Sequence, residues 1–199
     1  MKYDVEARLP FLNPETLNEE QKKLYDANIT AMETMPYIWL TKDRELNGPS
    51  NAMLYEPAIG NMLFPLNREI IRTSISRNGG SAHEVAILLT VSGAKAHYGM
   101  YAHTQLARKF GLTEKQIAVL MNGQKPDDLT EKEEAAYDFA YALNQAGAVP
   151  GAVYDRTKAV LGQEGLNALV YAVAMFKMIG TILNAYNEPV PEYREAGEE

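Results

Sequence analysis

The chain has 199 residues, of which 46% are hydrophobic and 23% charged, values typical of a folded soluble protein with one good-sized core. A formal net charge of −7 and the lack of a Lys/Arg cluster argue against nucleic-acid binding. The absence of cysteine excludes disulfides, thiolate nucleophiles and dithiol peroxidase chemistry. The charge-free apolar run at about 85–94 is too short to cross a bilayer, and the N-terminal segment does not resemble a signal peptide. We therefore expect a cytoplasmic protein without a membrane partner.

Helix signals dominate along the chain, and they predict an all-α fold in a single domain spanning residues 1–199. Four sequences fit the capping box, beginning at Thr16, Ser81, Thr113 and Thr130, and each precedes apolar residues at three- and four-residue spacing. Pro150 is typical of the first turn of a helix, and Gly162 is typical of its end. A last helix over about 165–186 is apolar on most sides, so we expect it to be central or packed against another subunit.

Two segments lack a helical pattern. Residues 31–57 contain three prolines and Gly48 and predict an irregular loop, which at that length is usually functional or disordered. The acidic tail from about residue 190 is predicted to be flexible.

The candidate chemistry lies between residues 84 and 103. Glu84 is either the acid of the Ser81 capping box or a half-desolvated acid suited to proton transfer. His103 starts an apolar helix face and is either a structural side chain or a catalyst. His97, beside Tyr98, is six residues from His103, a spacing that does not favour a shared metal ion, and we expect no metal site.

The stretch "HEVAILLTVSGAKAHYGMYAHTQLARKFGLTEKQIAVL" resembles the carboxymuconolactone decarboxylase family, which includes the alkylhydroperoxidase D-like proteins. An upstream "GPSNAMLYEP" from Gly48 and a downstream "LNAYNEPVP" from Leu183 extend the resemblance to the longer, cysteine-free branch of that family. The resemblance implies an alkylhydroperoxidase D-like helical fold and a homo-oligomer, a trimer or a hexamer.

In the redox members of the family, a glutamate, two cysteines and a histidine form a dithiol site. The resemblance places these residues on Glu84, Ala96, Gly99 and His103, so the proton relay is retained and the nucleophile is missing. The chain therefore resembles the decarboxylase members, whose chemistry implies loss of CO2 from a small unsaturated carboxylic acid or lactone in aromatic-compound breakdown, without a cofactor.

On this interpretation Glu84 and His103 are catalytic. Substrate-binding roles are expected for five further residues: Trp39, Arg72, His97, Tyr98 and Asn184. Arg44 and Arg108 are alternatives to Arg72 for binding the carboxylate, and Asn184 could equally be a hydrogen-bonded helix-end residue. Isomerisation, lactone or ester hydrolysis, and a catalytically silent oligomeric binding protein remain alternatives for the function.

Overall fold

The computed structural model describes residues 7–191, and within this range the chain is all-α. A short 3-10 helix, Pro14–Thr16, precedes eight α-helices. These are α1 Glu19–Met32, α2 Pro49–Leu54, α3 Pro57–Asn78, α4 Gly80–Gly93, α5 His97–Lys109, α6 Glu114–Met121, α7 Glu131–Asn144 and α8 Gly151–Tyr186. The predicted helical class is confirmed, and most of the predicted flexible tail, residues 192–199, lies outside the described residues.

Two of the four predicted capping boxes are confirmed. Thr113 caps α6 with Gln116, and Thr130 caps α7 with Glu133. At the start of α1 the box is formed two residues later than predicted, by Asn18 and Gln21, because the Asn18 side chain accepts from the Gln21 amide at 2.9 Å. These helix starts depend on local hydrogen bonds that a few consecutive residues supply.

The capping box predicted at Ser81 is wrong. Helix α4 begins at Gly80, and its N-cap is Gly79, whose φ of 92° lies in the left-handed region that favours glycine. Glu84 is therefore the fifth residue of the helix, one turn inside it, and it does not cap the helix. The capping interpretation of Glu84 is excluded by this geometry.

The irregular loop predicted over 31–57 is shorter than expected. Helix α1 continues to Met32, and Pro49 and Pro57 stand at the first positions of α2 and α3. A proline at that position starts a helix, because its missing N–H would have no partner there. The irregular part is residues 33–48, closed by a single antiparallel bridge between Leu40 and Leu46.

Helix α4 is the centre of the molecule. Every residue from Ala82 to Val91 is buried. One hydrophobic cluster packs one side of α4 against α1, α2, α3, α5 and the end of α8, and a second packs its other side against α6, α7 and the middle of α8. The position of α4 between two clusters explains why it is apolar on all sides.

Helix α8 is interrupted at the predicted place, since Gly162 has a φ of 70° inside it. By length and composition α8 could cross a membrane, but 56% of its most apolar window is buried inside the protein. It packs on α3, α4 and α7, which accounts for much of its apolar surface.

Candidate functional site

Helices α4 and α5 bring the predicted acid and histidine into contact. Nδ1 of His103 lies 2.8 Å from Oε2 of Glu84, so the two side chains are directly hydrogen-bonded. Only 1% of the surface of Glu84 and 7% of that of His103 is exposed. The short turn between the two helices folds α5 back along α4, and this places residues nineteen positions apart side by side.

The hydrogen bond fixes which histidine nitrogen is available. An ionised carboxylate only accepts hydrogen bonds, so with Glu84 ionised Nδ1 of His103 is the donor. Nε2 then remains for proton exchange with another molecule. The Phe176 ring, from α8, meets the His103 ring edge-on at 4.6 Å between centroids and 87° between planes, and this contact fixes the plane of the imidazole.

A second buried histidine adjoins this pair. His83 is fully buried, and its Nδ1 is 2.9 Å from Oγ of Ser74 on α3, while its Nε2 has no hydrogen-bond partner within residues 7–191. Burial lowers the pKa of His83 to about 4, Glu84 opposes that shift, and His103 adds to it. His83 is therefore neutral near pH 7.

Tyr37 and Arg68 complete the electrostatic surroundings of Glu84. Burial raises the pKa of the Tyr37 phenol, the charge of Glu84 raises it further, and the charge of Arg68 lowers it. The phenol is thus within electrostatic reach of both groups. Arg68, half-buried on α3, makes no hydrogen bond or ion pair with any residue in the range 7–191.

Sequence reasoning missed Tyr37, Arg68 and Phe176. Tyr37 lies two residues before Trp39, in the predicted irregular loop 31–57. Arg68 lies one helical turn before Arg72 on the same face of α3. Phe176 is far from α4 and α5 in sequence, so no local pattern could have placed it there.

Three predicted substrate-binding residues are occupied elsewhere or lie at the surface. Arg72 is exposed and forms a two-pronged ion pair with Glu69, at 2.6 and 2.9 Å. Asn184 donates to the carbonyl of Ala94 at 2.7 Å, which is the helix-end alternative of the prediction. His97 is exposed at the first position of α5, about 9 Å along the helix axis from His103.

The other two predicted residues are both connected with the irregular segment. Trp39 lies in it, and Tyr98, on α5, contacts it. The buried hydroxyl of Tyr98 donates to the carbonyl of Ile38 at 3.2 Å. Half-buried Trp39 packs against the first hydrophobic cluster, and its carbonyl accepts from Asn47 at 2.9 Å. Both side chains therefore hold residues 37–47 against the protein.

The alternatives proposed for the carboxylate-binding arginine are also surface residues. Arg108 pairs with Glu114, with Nη2 and Oε2 at 2.9 Å, and Arg44 is exposed with a φ of 62°. Ala96 and Gly99, where the resemblance places the redox cysteines, are buried, and a Cβ at Gly99 would come within 3.2 Å of Val91. The structure therefore keeps these two positions packed.

Three surface cavities of about 210 to 550 Å³ lie on the described part of the chain, and neither Glu84 nor His103 lines any of them. The largest of these three, which we call the α1/α3 groove, lies between α1 and α3 and is lined in part by Arg68 and Arg72. In the described residues no group of three or more His, Asp or Glu side chains is placed to hold a metal ion.

Comparisons of the chain with protein-family models, with curated proteins and with solved structures find no match. A proposal for the function therefore depends on the buried Glu84/His103 pair and its surroundings.

Proposed function

We propose that the protein is a cofactor-independent lyase of the decarboxylase type, acting on a small unsaturated carboxylic acid or lactone through proton transfer by Glu84 and His103. The observation that carries this proposal is the 2.8 Å contact between a glutamate and a histidine that are both buried. Burying two ionisable groups costs several kcal/mol of desolvation free energy. Well-packed apolar residues in the same positions would not have this cost. A proton-transfer role gives a reason for this cost.

The proposed reaction needs no group beyond the side chains and the substrate. As the bond to the carboxylate breaks and CO2 leaves, its electron pair moves into the conjugated lactone carbonyl. His103 then delivers a proton from Nε2 to the carbon where the charge collects, and Glu84 stabilises the imidazolium form that donates it. His103 regains a proton from solvent, so one proton is taken up for each CO2 released.

The surroundings of the pair favour this chemistry. Phe176 lies against His103 and the first hydrophobic cluster lies around it, so few water molecules can solvate a departing carboxylate. In such a region the interaction between Glu84 and an imidazolium is stronger than in water. The neutral His83 next to the pair adds no competing positive charge near pH 7.

A substitution series tests the proton-transfer role. Glu84→Gln and His103→Ala should each lower kcat by about 100-fold or more on an unsaturated lactone acid that the wild type turns over, because general acid–base catalysis is worth that much. The double variant should be scarcely slower, since the two side chains act as one unit. CO2 release and the absorbance of the conjugated lactone measure turnover and separate decarboxylation from isomerisation and hydrolysis.

Glu133→Gln is the matched control. Glu133 is also buried, at 6% exposure, but it serves the capping box of α7, where glutamine can replace it. This variant should keep wild-type turnover. Full activity in folded Glu84→Gln or His103→Ala protein, or no turnover by the wild type of any acid in a panel of unsaturated lactone acids, would contradict the proposal.

We also propose that the chain adopts the alkylhydroperoxidase D-like arrangement and assembles as a trimer or hexamer. Two exposed apolar stripes support assembly. The α3 stripe consists of Ile59, Met62 and Leu66, exposed by 53 to 68%, and the α8 stripe of Tyr171 and Met178, exposed by 65% and 42%. Two different stripes suit a head-to-tail contact, which closes into a ring.

A further inference from the structure

The α1/α3 groove combines an apolar floor with a cationic rim. Its volume is about 550 Å³, and its floor is formed by Leu24, Ala27, Ala31, Phe64 and Pro65. Ala27 and Ala31 lie one turn apart on α1, and their small side chains leave room beside α3. The rim carries Lys23, Arg68 and Arg72, with Glu69 as the one acidic lining residue. Such a groove fits a small ligand with an apolar body and an anionic end.

The three rim cations differ in how they are engaged. Arg72 is held by Glu69 at 2.6 Å, and 70% of its side chain is exposed. Lys23 is exposed on α1, where water solvates its charge. Arg68 is half-buried and has neither an ion pair nor a hydrogen bond within residues 7–191. A guanidinium partly withdrawn from water without a partner is unfavourable, and a bound anion would compensate it.

Arg68 also lies on α3 six residues, about 9 Å along the helix axis, before Ser74, whose hydroxyl contacts His83 beside Glu84. The charges of Arg68 and Glu84 act with opposite sign on the pKa of the same Tyr37 phenol. The phenol is therefore within electrostatic reach of both groups. A ligand held by Arg68 would be bound on the helix that also contacts His83, the neighbour of Glu84.

We infer that Arg68 binds a carboxylate of the substrate other than the one that leaves as CO2, with the apolar body of the substrate in the α1/α3 groove. This inference rests on the proposed function, because it assigns a binding role for the same reaction. The carboxylate that Arg68 holds is one that stays on the product. Stabilising the departing carboxylate would favour the ground state over the transition state and slow the reaction.

A binding experiment tests the assignment without turnover. The probe is the saturated γ-lactone of 4-hydroxyadipic acid, which keeps a lactone and one carboxylate but has no conjugated carbonyl to accept electrons. Its methyl ester is the neutral control ligand. Isothermal titration calorimetry compares wild type with Arg68→Met, which retains an apolar stem, and with Arg77→Met, an exposed arginine of α3 outside the groove.

Arg68→Met should weaken binding of the acid about 10- to 100-fold and leave binding of the ester unchanged, because a charge-assisted bidentate hydrogen bond is lost. Arg77→Met should change the affinity for the acid by less than about 3-fold. The inference is overturned if the wild type does not bind the acid at millimolar concentration, if Arg68→Met binds it as tightly as wild type, or if Arg68→Met loses acid and ester equally.

The two proposals fail separately. Loss of turnover in Glu84→Gln together with an unchanged KM in Arg68→Met would leave the proposed reaction standing and remove Arg68 from it. Charge-dependent binding through Arg68 in a protein that never releases CO2 would do the opposite.

Discussion

Glu188, directly after α8, is a buried carboxyl group without a hydrogen-bond partner. Only 6% of its surface is exposed, and both carboxylate oxygens lack a partner among the described residues. Burial raises the pKa of Glu188 to about 8, from an ordinary value of 4.5. Two tyrosines are affected by its charge: Tyr55, directly after α2, and Tyr98 of α5. Burial raises the pKa of each, and the charge of Glu188 contributes to raising it further.

This carboxyl should make the protein less stable as the pH rises. Because the folded-state pKa of Glu188 lies above its unfolded value, the folded chain binds the proton more tightly. Its stabilising contribution is complete below about pH 4.5 and is lost as the pH rises through about 8. Glu188→Gln should reduce the loss of unfolding free energy between pH 5 and 9 by about 1–3 kcal/mol.

Thermal unfolding at several pH values measures the effect. Exposed Glu33→Gln is the control and should follow the wild-type curve. His83, with its pKa lowered to about 4, destabilises the fold as the pH falls from 6.5 through 4, and this acid-side loss should persist in Glu188→Gln. Parallel stability curves for Glu188→Gln and wild type would refute the assignment.

At the residue scale, the sequence could predict a contact between two residues when both belong to a recognisable motif. The sequence pattern pairs Glu84 with His103 as candidate catalytic residues, and the two side chains are 2.8 Å apart. Arg68 and Arg72 could not be distinguished in advance, because their difference lies in a rotamer and in the pairing of Arg72 with Glu69. Glu188 gave no signal, since an acid near a helix end is normally solvated.

At the element scale, the entry into α2 depends on Gly48. Its φ of 64° lies in the left-handed region, and a Cβ at this position would overlap the Tyr98 ring. Gly48→Ala should therefore lower the unfolding free energy by about 2–4 kcal/mol, because it adds backbone strain to an overpacked contact. Tyr98 would also be displaced from the carbonyl of Ile38, and with it the irregular segment 33–48.

Denaturant unfolding measures this change, and Gly93→Ala is the matched control. Gly93 is helical, and a Cβ there would meet nothing within 4 Å, so alanine should be neutral or stabilise by up to about 1 kcal/mol. Equal stability of Gly48→Ala and wild type would show that the Tyr98 contact is not required.

Helix starts could be predicted where they depend on hydrogen bonds between nearby residues. The prediction failed where the start depends on tertiary packing. Thr113 and Thr130 carry their partners three residues ahead, so pattern and structure agree. At Ser81 the same pattern is present, but α4 starts earlier, at Gly80. The Phe110 ring packs against Gly80 so closely that a Cβ there would overlap the ring. Helix α3 was not predicted, because Pro57 and Pro65 resemble breakers and only packing on α1 and α8 shows otherwise.

At the scale of the whole molecule, the relative burial of α4 and α8 could not be read from composition. Both are apolar on most sides, and the sequence indicated that α8 is either central or packed against another subunit. The structure places α4 between the two hydrophobic clusters and leaves Tyr171 and Met178 of α8 exposed. The helices that surround α4 and α8 determine which of the two is more buried. The exposed surface of α8 at Tyr171 and Met178 is what assembly would cover.

Assembly through the two stripes predicts how charged substitutions act. Met62→Lys in the α3 stripe and Met178→Lys in the α8 stripe should each convert a trimer or hexamer of 22.1 kDa chains into monomers at micromolar concentration. A buried unpaired lysine at an apolar contact costs several kcal/mol, more than such a contact can spare. Light scattering after size-exclusion chromatography measures the mass, and exposed Tyr141→Lys on α7 should leave it unchanged.

Mixing the two variants distinguishes a head-to-tail contact from a self-complementary one. If the α3 stripe of one chain meets the α8 stripe of the next, the Met62→Lys chain retains an intact α8 stripe and the Met178→Lys chain an intact α3 stripe. The mixture should then form a one-to-one dimer and stop, because no further intact pair of stripes remains to close a ring. If each stripe instead pairs with its own copy, Met178→Lys alone would dimerise through α3 and mixing would add nothing. A wild-type monomer would refute both arrangements, and the stripes would then be only exposed apolar surface.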